Sequence, residues 1–437
     1  MRFVASSIVV GCLFSAAGAE LPLLWRVQLQ ARSTNTSNIA TMNLPPGALM
    51  PHRSVAIGDD GAAAIIFTLP SGSGVDGVFV GSNGAGATWT LTQSGFGGSD
   101  LDFSSGRLAL TSVNPGSVSL YDSATGIRTL LFDTPNAEGV AGFLRPRIVG
   151  NGTAIGYRGV TSGGIHKWVV DEIDGAIRTQ ALYLADGPLT QYSFLYSSTT
   201  NARLHMGGKV EDFNGIGSIV RADSPSSVVT IFTGVSPIVD FVADGTDMND
   251  HDQVAFFVRY NIGPTTRFSL LRSDGVTTDV LANAGDAGIQ SASMGDFSPA
   301  INGRGLVAFR ARDGAGDGLF VADGNRIVRV CGHGDLVDTD LGGMILGSGA
   351  DALSGAIDIN ARGQVGFCGI LSNGCIGLFV ATPCFADFNG DMIVDFFDYL
   401  DFVAIFAAGS TDADFNEDGI ADFFDYLDFV EAFAQGC

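Results

Sequence analysis

The feature that most constrains the fold is a loose repeat running through residues 20–382. A turn containing Asn, Asp or Gly is followed by a short apolar strand, most clearly at residues 249–256, 302–309 and 360–367. The turn residue is predicted at positions 61, 106, 152, 202, 252, 305 and 363, which are 45 to 58 residues apart. This period is typical of propeller blades with three or four short strands each. The sequence therefore predicts seven blades in a mainly β domain.

The ends of this region suggest how the ring closes. A complete repeat contains two further strands after the first, for example residues 318–323 and 326–330. The last repeat supplies only residues 365–371 and 375–381, whereas an apolar segment at residues 23–29 has no partner. We expect that segment to complete the last blade. A β-solenoid and stacked β-sandwiches are the alternative folds.

Composition and charge agree with this fold class and exclude several functions. The 437 residues include 60 Gly, 46% are hydrophobic and 16% are charged, which suits short strands, tight turns and a large core rather than disorder. The net charge of −23 argues against nucleic acid or an anionic membrane as partners.

Residues 1–19 have the pattern of a Sec-type signal peptide. Arg2 precedes an apolar run at residues 3–14, and Ala17-Gly18-Ala19 forms a small-residue cleavage site before Glu20. A lipoprotein cleavage box ending at Cys12 is the alternative. No later stretch is apolar for about 18 residues. We therefore expect a secreted or cell-surface protein with no membrane span in its mature chain.

Residues 384–437 contain thirteen Asp or Glu and no Lys or Arg, and residues 386–409 are closely repeated at 413–436. Each copy places oxygen ligands at positions 1, 3, 5, 7, 9 and 12 of a calcium loop, using the backbone carbonyl at position 7. The predicted ligands are Asp387, Asn389, Asp391, Ile393, Asp395 and Asp398 in the first loop, and Asp414, Asn416, Asp418, Ile420, Asp422 and Asp425 in the second. We expect two Ca²⁺ sites that contribute to folding, because these carboxylates would otherwise repel one another.

The two loops differ at position 6, where a sharp turn with positive φ favours Gly. The second loop has Gly419, but the first has Met392. We expect the first site to be the weaker one. Each loop is followed by an apolar stripe at helical spacing, which predicts one helix per copy.

This tandem of loop and helix resembles a type I dockerin, and the ending Gly436-Cys437 resembles the variety that ends in Gly-Cys. The resemblance covers residues 383–437 and implies a cohesin-type or other exported surface protein as partner. It also implies that Phe396, Phe397, Phe423 and Phe424, at loop positions 10 and 11, contact that partner. Their identity in both copies suits a surface that binds in either orientation, while packing in the small core is the alternative role.

The turn-and-strand pattern of residues 20–382 resembles the NxxGxxAF tandem-repeat family of exported proteins. That resemblance implies a repeat domain held by a C-terminal anchor, and it implies no catalytic activity. We found no convincing catalytic constellation in the sequence. We therefore expect an interaction protein, with a carbohydrate or matrix ligand as a further candidate. A carbohydrate-active hydrolase or lyase on the propeller scaffold is the alternative.

Export makes disulfides permissible. Cys384 and Cys437 bracket the C-terminal segment and are predicted to pair. Cys368 and Cys375 flank a turn and could pair across a hairpin, or Cys331 could pair with either of them.

Overall fold

The computed structural model describes residues 21–436 except 52–54, 71–76, 91–99, 114–115, 134–137, 175–176, 235–238, 263–264, 291–296, 350 and 416–419. The predicted signal peptide, residues 1–19, therefore lies outside the described residues, as does Cys437. The chain divides into two compact units. One is Val27–Thr382, and the other joins Met1–Arg26 with Pro383–Cys437.

In the described residues the strands form seven four-stranded sheets, each the size of one propeller blade, and one two-stranded ribbon. Blade 1 consists of β2 (Ala56–Ile57), β3 (Ala63–Phe67), β4 (Gly77–Ser82) and β5 (Ala85–Thr90), and blade 2 of β6 (Leu101–Ser104), β7 (Arg107–Val113), β8 (Gly116–Asp122) and β9 (Arg128–Asp133). Blade 3 consists of β10 (Val140–Val149), β11 (Ala154–Thr161), β12 (His166–Asp174) and β13 (Ile177–Ala185), and blade 4 of β14 (Tyr192–Thr200), β15 (Met206–Asp212), β16 (Gly217–Ser224) and β17 (Ser227–Thr233).

The remaining blades follow the same order. Blade 5 consists of β18 (Val239–Met248), β19 (Val254–Ile262), β20 (Thr265–Ser273) and β21 (Thr278–Asn283), and blade 6 of β22 (Ala300–Ile301), β23 (Val307–Arg312), β24 (Asp317–Ala322) and β25 (Ile327–Gly332). The ribbon is β26 (Leu336–Thr339) and β27 (Gly342–Ile345). Blade 7 consists of β28 (Leu353–Ile359), β29 (Val365–Ile370), β30 (Ile376–Pro383) and β1 (Trp25–Arg32). The predicted seven-bladed β-propeller is confirmed.

Blade 7 closes the ring as the sequence predicts, because β1 lies beside β30 and supplies the fourth strand. Ser33 N donates to Ile376 O at 2.9 Å just beyond the end of β1. Arg32, which is 1% exposed, holds Asp340 in the tip of the ribbon through two hydrogen bonds of 2.8 and 2.7 Å. The first and last parts of the domain are thereby joined.

The repeated turn adopts positive φ at its fourth residue, including Gly305 at +79° and Gly363 at +78°. The predicted turn position 202 is wrong by two residues. Leu204, with φ +65°, is the equivalent position, because the turn begins at Asn201. Asp252 also adopts φ +65° without being glycine, and its carboxylate accepts hydrogen bonds from Asn201 Nδ2 and Arg203 Nη1 that hold it there.

Buried asparagines at the start of these turns link neighbouring blades. The Oδ1 of Asn302 accepts from the backbone N–H groups of Arg304 and Leu306, while its Nδ2 donates to Asn360 O at 3.0 Å in the next blade. Asn201 and Asn249 do the same toward blades 5 and 6. Asn360 Nδ2 donates to Gly58 O at 2.9 Å, which carries the series from blade 7 to blade 1. Each amide therefore satisfies buried backbone groups of two blades.

The apolar core lies between adjacent sheets. One cluster combines Phe67 and Phe79 of blade 1 with Cys368 and Leu378 of blade 7. The described cysteines 331, 368 and 375 are buried and free, so the suggested pairings among them are wrong. Cys368 pairs with Leu378 in the strand register, whereas Cys375 lies opposite Leu371. Alternation along the strands therefore directs the two thiols to opposite faces of the hairpin.

The other unit contains α1 (Phe396–Ala407) and α2 (Phe423–Gln435), the two helices that the apolar stripes predict. Phe402 and Phe429 are fully buried between them, with Ala413 beside them. None of the described helices is long and apolar enough to cross a bilayer.

The asparagine bridges make a prediction about stability. Asn302→Ala removes two backbone caps and the link to blade 7, leaving part-buried N–H and C=O groups unpaired. We expect a loss of about 2–4 kcal/mol in the free energy of unfolding. Urea denaturation measures it. Asn325→Ala, in an exposed hairpin turn, is the matched control and should change stability by less than about 0.5 kcal/mol. Equal effects of the two substitutions would contradict this role.

Candidate functional site

The two copies of the C-terminal duplication are related by an approximate twofold axis. Phe402 and Phe429, which occupy equivalent positions, stack with ring centroids 4.0 Å apart and planes 8° apart. The hydroxyl groups of Tyr399 and Tyr426, also equivalent, lie 3.0 Å apart. Since a residue that contacts its own equivalent must lie near the symmetry axis, these pairs define that axis.

Both helices begin in the same way at their loops. Asp395 is the N-cap of α1 and accepts from Phe397 N, while Asp398 reaches back to the N–H of Asp395. Asp422 and Asp425 repeat this arrangement at the start of α2. Predicted ligand positions 9 and 12 are thus held against the first helical turn in both copies, and Asp398 and Asp425 are fully buried.

The first loop contains a buried carboxylate oxygen with no partner. Asp387 is 4% exposed, and its Oδ2 accepts from Met392 N at 3.0 Å. Its Oδ1 is buried and accepts no hydrogen bond from the described residues. Burial, followed by the charges of Asp398 and Asp391, raises the pKa of Asp387. An oxygen in this state is satisfied by a cation.

Met392 has φ +69°, in the left-handed region that the loop pattern requires at position 6. Asn389 Oδ1 accepts from Asp391 N, and Asp391 Oδ1 accepts from Ile393 N, so the loop is folded by its own side chains. Within the described part of the chain, no group of three or more His, Cys, Asp or Glu is arranged to hold a metal ion. The donor chemistry and the unpartnered Asp387 oxygen nevertheless fit Ca²⁺.

The second loop is described only in part. Asp414, Ile420, Asp422 and Asp425 are described, but the predicted ligands Asn416 and Asp418 lie outside the described residues, as does Gly419. The predicted pairing of Cys384 with Cys437 also involves a residue outside them and stays a prediction.

The four phenylalanines predicted to contact a partner are on the surface. Phe396, Phe397, Phe423 and Phe424 are 63%, 64%, 62% and 64% exposed. Packing in the small core, the alternative role, falls instead to Phe402 and Phe429. The near-equal exposures follow from the twofold relation of the copies. The unit therefore presents two equivalent apolar patches.

The propeller holds a second candidate site that the sequence analysis missed. A cavity of about 250 Å³ is lined by the inner strand or the following turn of all seven blades, so it lies on the propeller axis. A smaller cavity of about 50 Å³ continues along the same strands, and both are lined by Arg147 and Asp358. These two side chains therefore lie between the two cavities.

Arg147 joins carboxylates from different blades across this axis. Its Nη1 donates to Asp102 Oδ1 at 3.1 Å and its Nη2 to Asp247 Oδ1 at 3.0 Å, while Asp358 Oδ1 is 3.9 Å from Nη1. The three carboxylates also bind the following inner strand in the ring. Their Oδ2 atoms accept from the N–H groups of Ile148, Ile301 and Ile57 respectively.

Three carboxylates therefore share one guanidinium group in a buried place. Burial raises the pKa of Asp358 to about 7. The positive charge of Arg147 lowers this pKa, whereas the negative charges of Asp102 and Asp247 raise it further. Burial likewise raises the pKa of Asp102. Burial lowers the pKa of Arg147. The negative charges of the neighbouring carboxylates, of which Asp247 has the largest effect, outweigh burial and raise that pKa above its usual value. Arg147 thus keeps its charge, while Asp358 titrates near neutral pH.

A signal for this site exists in the sequence. Asp247 and Asp358 each stand two residues before the turn asparagines Asn249 and Asn360. This spacing places each aspartate one residue before the end of its inner strand, and the inner strands meet at the axis. Arg147 has no such periodic signal, because this one residue contacts carboxylates of blades 2, 5 and 7.

Asp358→Asn tests the pKa argument. A carboxyl group whose folded pKa is raised binds protons more tightly when folded, so its stabilising contribution is greatest at low pH and is lost as pH rises through about 4 to 7. Asparagine can still accept from Ile57 N, and it carries no charge. We expect the variant's stability relative to the parent to improve by about 2–3 kcal/mol from pH 5 to pH 8. Denaturation of both proteins at the two pH values measures this. A difference independent of pH would contradict it.

Comparisons with known proteins bear on the propeller. A family described as a family of unknown function (DUF7453) matches residues 192–376, from the start of β14 to the start of β30. No curated protein matches the chain significantly.

Solved structures with a similar fold have low sequence identity. The β-propeller domain of the Trilobed protease from Pyrococcus furiosus is 10% identical, with a TM-score of 0.42, over 65% of this chain and 83% of that one. The Cps50 (Swd1) β-propeller domain of Myceliophteria thermophila is 13% identical, with a TM-score of 0.42, over 76% and 98%. A puromycin-hydrolyzing peptidase of Mycobacterium tuberculosis is 11% identical, with a TM-score of 0.47, and the match spans 81% of this chain but 53% of that one.

Proposed function

We propose that this chain is an exported interaction protein, in which a calcium-dependent dockerin-like unit attaches the propeller to a cohesin-type or other surface partner. The observation that carries the proposal is the duplicated unit itself. It combines an unpartnered buried oxygen at Asp387 with two equivalent patches of exposed phenylalanine. The signal-like residues 1–19 support export.

Calcium would be held by the side chains of Asp387, Asn389, Asp391, Asp395 and Asp398 and the carbonyl of Ile393, with the equivalent set in the second loop. The ion would supply positive charge to carboxylates that repel one another. Two of these proposed ligands, Asp395 and Asp398, also form the capping hydrogen bonds at the start of α1. The metal would thereby order the helix that carries Phe396 and Phe397.

The exposed phenylalanines support docking on a protein. Contiguous exposed apolar residues mark interaction sites on soluble proteins, and aromatic side chains are enriched in protein interfaces. Ile393 and Leu400, at 61% and 44% exposure, extend one patch, and Ile420 and Leu427, at 64% and 45%, extend the other. A partner that fits one patch should fit the other after a half-turn. Binding in two orientations follows from this equivalence.

The alternative of a carbohydrate-active hydrolase or lyase would use the axial carboxylates. Glycoside hydrolysis uses two carboxyl groups facing the substrate. Asp102 and Asp247 each have both oxygens committed to Arg147 or to the next blade. Only Asp358 Oδ1 accepts no hydrogen bond from the described residues. The axial site therefore favours binding over this chemistry.

Met392→Gly tests the cation site in the first loop. Methionine at φ +69° is strained by about 1 kcal/mol or more, and glycine relieves this strain. Because the calcium-bound loop requires this φ at position 6, relief of the strain should raise affinity at the first site about fivefold. Calorimetric titration of the full chain with CaCl₂ measures it. Asp387→Asn should weaken the same site, and unchanged titrations in both variants would exclude the proposed ligands.

Docking is tested by calcium-dependent capture of exported surface proteins by the full chain. Phe396→Ser with Phe397→Ser should cost about twofold in affinity, because one of two orientations remains. Phe423→Ser with Phe424→Ser is the matched variant and should behave alike. All four substitutions together should abolish binding, as should chelation of calcium. Capture that survives both treatments would refute the proposed function.

A further inference from the structure

We infer that the axial cavity of the propeller binds a primary ammonium group carried on a short aliphatic chain. The inference concerns the propeller alone and does not depend on the docking function. It starts from Asp358, which is 8% exposed and lines both axial cavities.

Asp358 offers one oxygen to the cavity. Its Oδ2 is committed to Ile57 N at 2.9 Å in the neighbouring blade. Its Oδ1 accepts no hydrogen bond from any described residue, and Arg147 Nη1, at 3.9 Å, is too distant to donate one. Because Oδ1 lies on the side of Arg147 and both residues line the cavity, this oxygen faces the axial space.

The charges around the cavity select a cation. At the floor, four carboxylates line the two axial cavities against two guanidinium groups, those of Arg145 and Arg147; the carboxylates are Asp100, Asp102, Asp247 and Asp358. At the mouth, Asp59 and Asp250 are exposed and form no ion pair with the described residues. Negative charge therefore lies at both the floor and the mouth. A cleft lined by one sign of charge concentrates the opposite ion.

The geometry favours an ammonium group over a metal or a guanidinium group. Asp102 and Asp247 already use both carboxylate oxygens in hydrogen bonds to Arg147 or to the next blade, which leaves too few free oxygens for a metal ion. A guanidinium group pairs best with both oxygens of a carboxylate, whereas only Oδ1 of Asp358 is available. A volume of about 250 Å³ far exceeds one bare ion. It admits a chain that reaches from the floor toward the acidic mouth.

The size of the cavity limits the ligand to a short chain. Asp358 lies one residue before the end of β28, and Ala361, at the mouth, belongs to the turn that begins at Asn360. A five-carbon diamine with an ammonium group at each end suits a cavity of about 250 Å³ between these two places. The same ammonium chemistry is found on a lysine side chain, which has one charged end.

The experiment is a calorimetric titration of the full chain with 1,5-diaminopentane at pH 8, with calcium present in excess to fill any other cation site. We expect binding at one site. Asp358→Asn should weaken it at least tenfold, at a pH where the variant's stability relative to the parent is expected to be more favourable than at pH 5. Asp338→Asn, the same charge change on an exposed residue of the ribbon, should leave affinity unchanged.

Three further measurements sharpen the result. The uncharged 1,5-pentanediol should not bind. Lowering the pH to 6 should weaken diamine binding about tenfold, since Asp358, faced by Arg147, Asp102 and Asp247, has a pKa of about 7. Titration with 1-aminopentane separates the sources of the ammonium group. Equal affinity indicates a lysine-like ligand with one charged end, and much weaker binding than the diamine indicates a free diamine.

Three outcomes would overturn the inference. The first is no heat of binding with millimolar diamine, and the second is unchanged affinity in Asp358→Asn. The third is displacement of the diamine by magnesium at a site that Asp358→Asn also destroys, which would identify a metal site instead.

Discussion

The propeller depends on the pairing of β1 with β30, because this contact joins the two ends of a domain of about 350 residues into a ring. In the closed ring the sheets of blades 1 and 7 pack against each other through a shared apolar cluster, so these sheet faces are buried. Closure also sets the register of blade 7 against blade 1, where Asn360 Nδ2 reaches Gly58 O and Asp358 Oδ2 reaches Ile57 N. Arg32, at the end of β1, also forms two hydrogen bonds with Asp340 in the ribbon, so the first strand is attached to a second part of the chain near the C-terminal end of the domain.

Once the ring is closed, its inner strands have to converge, and the polar groups they carry are buried together. Asparagine and aspartate meet this constraint in different ways. The amide of Asn302 both accepts and donates, so it satisfies two blades without charge. The carboxylates can only accept while ionised, and Arg147 is shared among three of them. The axial site is therefore a consequence of ring closure. Its excess of negative charge is the property from which we infer that it binds a cation.

The C-terminal unit obeys a different constraint, which is internal symmetry. Two copies of one sequence, offset by 27 residues, pack through equivalent residues such as Phe402 and Phe429. The inward face of each helix packs in the small core. The remaining phenylalanines stay outside, where they form paired patches. The Oδ1 atom of Asp387 is buried in the first loop and accepts no hydrogen bond from the described residues, and this is the observation behind the cation site that we propose.

Much of this could be predicted from local patterns. Turn residues with positive φ, strands between them and the seven-fold period are encoded in short segments, because backbone conformation and side-chain alternation are local properties. The same holds for the first loop and for both helices, down to the positive φ of Met392. The misplaced turn at residue 202 arose because Leu204 takes the position usually held by glycine, so its identity carries no signal.

The sequence by itself determined the repeat, the duplication and the residue types of the loops. Tertiary structure alone decided which distant groups meet: Arg147 with Asp102, Asp247 and Asp358, and three thiols that stay apart. These contacts join residues as far as 211 positions apart, from Arg147 to Asp358, and only the curvature of a closed ring brings them to one axis. No local pattern encodes that distance, because it depends on the packing of all seven blades.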